Sequence, residues 1–268
     1  MHTARLILSC AILLNLPACA HVAVAQDPKQ LVNQAVQTEL VADRNDHSRW
    51  VYYDVDRRPS DTTQQWVAET GDGDVHRILI QKNHPLSFAA QRNSMDQFVH
   101  DPDAQARQRK SGQHDDRQSE EMLRLLPNAF LWNIAGTQGH TILLRFAPNP
   151  QFKPPTWEAR VFAAMEGTMR IDQTQHRIVS LQGRLVRNVH FCGGLCGSLA
   201  AGGTFDVERR EIGPSIWQIV ETHVHIHGTA LFFKNISQDE DDQKTRFQLL
   251  PGDISLQQAE TKLLQENG

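Results

Sequence analysis

Residues 222–228, "THVHIHG", place His223, His225 and His227 at alternate positions. Alternate residues of a strand share a face and stand about 6.5 to 7 Å apart. Two imidazoles at that spacing can converge on a zinc ion with bonds of about 2 Å, but three in line need another ligand to complete a tetrahedron. His190 and Glu221 are the candidates for that ligand. One histidine alone has the titration range of a general base, although the sequence offers no substrate or orienting partner to go with it. The plain alternative is a row of half-exposed strand histidines.

Other chemistry is sparse. The glycines of "CGGLCG" and "AAGG" fit neither a phosphate-binding loop nor a dinucleotide fingerprint, and neither G-x-S-x-G nor H-E-x-x-H occurs. No cofactor is expected. Glu158, Glu166 and Glu208 read as solvated strand residues. Cys192 and Cys196 are four apart, so a bridge between them closes a tiny loop; two free thiols, or a metal or redox role, are the alternatives.

The compartment bears on those cysteines. Arg5, the apolar "LILSCAILL" and the small residues "AVA" at 23–25 form a signal peptide over residues 1–25, cleaved before Gln26. The apolar run is broken by Asn15 and Pro17 and falls short of the roughly 20 residues of a membrane span. The chain is therefore expected to be exported and not integral to a membrane. "LPAC" offers a second route, in which Cys19 becomes an acylated first residue and ties the chain to the outer membrane. Cleavage before Gln26 leaves only Cys192 and Cys196, which oxidising conditions allow to pair. A net charge of −4 and a pI near 6.3 give no general attraction to nucleic acid or anionic membrane.

From Gln26 onward the pattern is that of one domain, 26–268. Leu31, Val32, Ala35, Val36 and Leu40 recur at helical spacing behind Asp27 and Pro28. "RWVYYDVD", "QQWVAET" and "HRILIQKN" then read as antiparallel strands ending at "KNHPLS". Residues 100–121, almost free of apolar side chains, form a charged insert (about 96–121 with its flank), either solvated helix or mobile flap. Met122, Leu123, Leu126 and Phe130 return to helical spacing.

In the second half, "HTILLRF" is a strand. In "WEARVFAAMEGTMRID" the alternation of Ala159, Val161, Ala163, Met165, Met169 and Ile171 reads as another, paired in a long hairpin with "RIVSLQGRLVRNVHF". "TFDVERREI" and a last long strand, "IWQIVETHVHIHGTALFFKN", follow, and the tail is weakly helical. In that last strand Trp217, Ile219, Glu221 and the histidines fall on one face and Val220, Thr222, Val224, Ile226 and Phe232 on the other. The expected class is α+β: a strongly curved antiparallel sheet, an open or half β-barrel, with helices over its concave face. Such a sheet must bury its apolar face, and the helices carry few large side chains, which leaves room for an apolar cleft.

The stretches "WVYYDVD", "NHPLS", "LLRFAPNPQFKPPTWEARVFAAMEGTMRID", "RIVSLQGRLVRNVHF", "GGTFDVERREIGPSIWQI" and "GTALFFK" resemble bacterial exported proteins of unknown function, distantly similar to the outer-membrane lipoprotein-sorting carriers. The resemblance covers Gln26 to Lys234. It implies an unclosed β-barrel whose concave apolar face, lidded by helices, receives an acyl chain, with no catalytic residues to carry over. The charged insert and the Cys192–Gly203 connection depart from those carriers. By alternation, the cleft wall is expected from Val161, Met165, Leu181, Leu185, Val220, Val224 and Phe232. The leading expectation is a non-catalytic envelope binding protein for a lipid or acylated ligand, with an envelope protein as a possible partner. A metal-binding protein or metal-dependent enzyme using His223, His225 and His227, and a structural envelope protein whose cleft is filled by its own side chains, are the alternatives.

Overall fold

The computed structural model describes residues 26–191, 197–230 and 238–267. Helix α1 (Pro28–Asn45) starts at Asp27, whose carboxylate accepts the Lys29 N–H at 3.0 Å. Its buried stripe is Val32, Ala35, Val36 and Leu40. An antiparallel meander follows: β1 (Arg49–Arg58), β2 (Asp61–Ala68), β3 (Val75–Gln81) and β4 (His84–Pro85). Lys82 and Asn83, both at positive φ, make the tight β3–β4 connection, as two-residue hairpin loops require.

Helices α2 (Phe88–Val99) and α3 (Pro102–Ala129) come next, N-capped by Ser87 and Asp101. The charged insert is therefore helix rather than loop. At 28 residues, α3 is about 42 Å long. It starts beside β3, where the Gln108 amide bonds the backbone of Asp74, and ends by running directly into β5 (Phe130–Gln138). Phe130, expected on the helix, is the first residue of that strand.

The rest comprises β6 (Thr141–Pro148), α4 (Trp157–Phe162), β7 (Met165–Asp172), β8 (Arg177–Leu185), β9 (Val189–Phe191), β10 (Gly197–Leu199), β11 (Thr204–Gly213), β12 (Ile216–Ile226), β13 (Gly228–Ala230), β14 (Gln238–Leu250) and α5 (Leu256–Gln265). Among the described residues, eleven strands form one antiparallel sheet in the order β4-β3-β2-β1-β14-β12-β11-β8-β7-β6-β5, open because its two end strands do not pair; β13-β10-β9 form a small second sheet. The class is α+β, with five helices on a large antiparallel sheet among the described residues.

Three expectations are corrected: the element at 157–162 and the extents of two long strands. Residues 157–162 are helical, because Thr156 caps the Ala159 N–H and the apparent alternation is one short turn burying Ala159 and Val161. The strand expected to run to residue 235 breaks at His227, and the hairpin expected through 191 breaks after Leu185; both continuations join the small sheet. The acidic stretch "QDEDDQKTRFQLL" is the 13-residue strand β14, at the centre of the sheet between β1 and β12. Cross-strand pairing on both sides of β14 overrides the poor strand propensity of its acids.

The helices also do not share one side. Consecutive strand residues point to opposite faces. His76 reaches Gln108 of α3, whereas Arg77 bonds Gln91 of α2 and the Leu263 carbonyl of α5. One face thus carries α1, α3 and α4 over β5–β8, around Leu144, Phe146, Met169 and Ile171; the opposite face carries α2 and α5 over β1–β3, around Val51, Trp66, Val75 and Met95. A sheet this wide cannot be covered by one layer of short helices, so it buries opposite faces at its two ends.

Candidate functional site

The histidines stand on the α2/α5 face, beyond the reach of those helices. Their partners come from β14, whose register sets Asp241 opposite His223 and Asp239 opposite His225. Each imidazole Nδ1 lies 2.5 Å from the facing carboxylate, Asp241 also lies 3.4 Å from His225 Nε2, and Glu221 lies 3.8 Å from His223 Nε2. The result is an alternating ladder, Glu221, His223, Asp241, His225, Asp239. It gives a central strand with four consecutive acids, Asp239 to Asp242, imidazole partners on this face.

The three imidazoles do not converge. His227 lies past the end of β12, exposed, and His190 sits on the small sheet opposite Ser198. Among the described residues no group of three or more His, Cys, Asp or Glu side chains is arranged to hold a metal ion. Cys192, Cys196 and Phe232 lie outside the described residues, as do residues 1–25 with Cys19.

The hydrogen bond to Asp241 raises the His223 pKa above its ordinary value, the negative charges of Asp241, Asp206 and Glu221 adding to it. Its folded pKa exceeds its unfolded one, so its contribution is complete below about 6.5 and fades as pH rises through the folded value. An NMR titration is expected to show His223 as a late-titrating imidazole, and Asp241→Asn to bring it back towards the ordinary range. An ordinary midpoint in the unaltered protein would remove the ladder.

Next to the ladder the same face holds an open depression of about 780 Å³. Its polar wall includes Arg145, Glu166, Thr168, Gln182, Asp206 and His223. Arg184 bonds Glu166, and Gln182 bonds Asp206, so its charges are largely paired across the strands.

On the opposite face, between β14 and β2, lies a buried acidic patch. Asp54 is 7% exposed; its Oδ2 accepts the Gln65 amide at 2.7 Å. Asp54 Oδ1 and Asp242 Oδ1 are buried and meet no donor among the described residues. Asp242 is diagonal to Asp54 in the β1–β14 register, opposite Asp56. Burial, with Asp242 beside it, pushes Asp54 up to about 7. Nearby, burial and Asp74 push Glu69 up to about 7, and burial takes His76 down to about 4.

The expected apolar wall is only partly assembled. Met165 and Leu185 face each other across β7 and β8 and are buried with Val161, which comes from α4 instead of a strand. Leu181 is half-buried against them. Val224 is half-buried beside Phe205, its cross-strand neighbour, whose ring occupies the space a Cβ on Gly183 would need. Val220 is buried but displaced: the β11–β12 register jumps from Glu208–Glu221 to Arg209–Ile219, leaving Val220 as the extra residue of a bulge. The same jump takes Trp217 and Ile219 off the histidine face. No protein family, curated protein or solved structure matches this chain.

Proposed function

We propose that this is an exported envelope protein that holds a lipid or other acylated ligand against the α1/α3/α4 side of its sheet and performs no chemistry of its own. One observation carries the reading: the apolar wall outruns its helical cover. Ile142, Leu144 and Met169 are fully buried, whereas further along the same face Leu181, Phe205, Val207, Val224 and Ile226 are only half-buried. Sequestering an acyl chain there gains about 0.8 kcal/mol per methylene. In this reading the open sheet acts as the wall of an unclosed half-barrel, with α1, α3 and α4 as the lid over its concave side. The segment 1–25 directs export, and acylation at Cys19 decides between periplasm and outer membrane.

Among the described residues, no helix is long and apolar enough to cross a membrane. Val224→Asp tests the reading, since the site is half-buried and its neighbour across the ladder is already Glu240. The variant is expected to fold and to lose co-purified lipid roughly ten-fold or more, the equivalent of about 1.4 kcal/mol. Retention equal to the unaltered protein would overturn the reading. Met165→Glu is unsuitable, because Met165 is 4% exposed and unfolding would mask the result.

A further inference from the structure

The two edges of the large sheet are finished differently. At one end β4 is two residues long and contains Pro85, a short edge that offers little to pair with. At the other, β5 is nine residues long and reads "FLWNIAGTQ", with neither a charge nor a proline. Edge strands left free are ordinarily protected by lysine, proline, brevity or cover. Of the protective devices β5 has only a bulge, at Ala135 between the pairs Ile134–Leu144 and Gly136–Leu143.

Six of the nine residues are exposed, Leu131 and Ile134 among them at 51% and 43%. Phe130 and Trp132 are buried between them in a cluster with Phe146, and the Trp132 indole donates to the Leu126 carbonyl. The strand is thus packed from one side, while its outer edge pairs with no strand among the described residues.

We infer that β5 is a dimerisation edge, on which a second copy of this chain pairs antiparallel through its own β5. Self-pairing suits this strand because it carries no charge to oppose its own image. The bulge confines regular pairing to Phe130–Ile134 and sets the two-fold axis at Trp132. That register puts Leu131 opposite the partner's Asn133 and Phe130 opposite the partner's Ile134, with the two Leu131 side chains as diagonal neighbours. Both exposed large apolar residues of the strand are then covered, and the interface is isologous, as a closed dimer needs. Two sheets joined in this way continue as one.

Sedimentation velocity of the exported chain over a wide concentration range tests the inference. The unaltered protein is expected to show a concentration-dependent dimer. Leu131→Lys, which sets two lysines across the axis at an exposed site, is expected to shift the dissociation constant upward by ten-fold or more. Asn133→Lys, on the same edge and face, is expected to do the same and guards against one variant misfolding. A monomer at every concentration would overturn the inference, and so would a dimer that both lysines leave unchanged.

Discussion

Glu39→Ala lowers the free energy of unfolding by about 3–5 kcal/mol, the cost of leaving buried charge uncompensated. Glu39 is 4% exposed on α1, yet its Oε2 lies 2.9 Å from Arg177 Nη2 and 2.5 Å from Arg209 Nη1. Its other oxygen accepts the Ile178 N–H at 2.7 Å. One carboxylate therefore joins the first helix to β8 and β11. Arg177 is itself 6% exposed and, without Glu39, keeps only the Ser215 carbonyl among the described residues. Burial alone would push the Glu39 carboxyl up, but the charge of Arg209 and the hydrogen bonds from both arginines outweigh it and hold the pKa below its ordinary value. Its contribution is thus present above the ordinary carboxylate range and disappears as pH falls through the lowered value. Urea unfolding at neutral pH measures the loss, which is a large part of the roughly 5–15 kcal/mol available to a domain. A change below about 1 kcal/mol would show that the triad is not formed.

The acidic patch acts in the opposite direction. Asp54 and Glu69 have folded values raised to about 7, so between about 4 and 7 the folded state holds protons that the unfolded chain has released. Stability then falls as pH rises through that window. Together with Glu39, which fails at low pH, this predicts greatest stability in mildly acid solution. Asp54→Asn is expected to raise stability at pH 7–8 by on the order of 3 kcal/mol and to flatten part of the slope. The amide keeps an acceptor for Gln65 and supplies the donor that Asp242 lacks. Unfolding curves for both proteins between pH 4 and 8 decide it: parallel curves would mean that the two carboxylates ionise independently of folding.

Much of the fold is legible in the residues. The stripe of α1, the first three strands, and the pairs built on Leu144, Met169 and Leu181 follow from simple periodicity. What escapes does so for identifiable reasons. The alternation of Ala159 and Val161 fits a strand as well as one turn of helix, and only the Thr156 cap distinguishes them. The bulge at Val220 reverses the faces on either side of it, and no residue type announces such a shift. Strand β14 is hidden by its own acids, which lack strand propensity and make sense only opposite a strand carrying histidines at the same spacing. That complementarity, His223 and His225 against Asp241 and Asp239, is the one signal in the sequence that pointed to it. The acidic patch needs three strands brought together, so Asp54 and Asp242 had no local signature.

An acyl chain against the uncovered apolar wall is directly measurable. Native mass spectrometry of the exported protein purified from its own envelope, followed by denaturing mass analysis and lipid extraction of the same sample, tests it directly. The native mass is expected to exceed the denatured mass by one acyl-bearing molecule per chain, recovered in the organic phase and lost from Val224→Asp. A native mass equal to that of the bare polypeptide, with no extractable lipid, would contradict it.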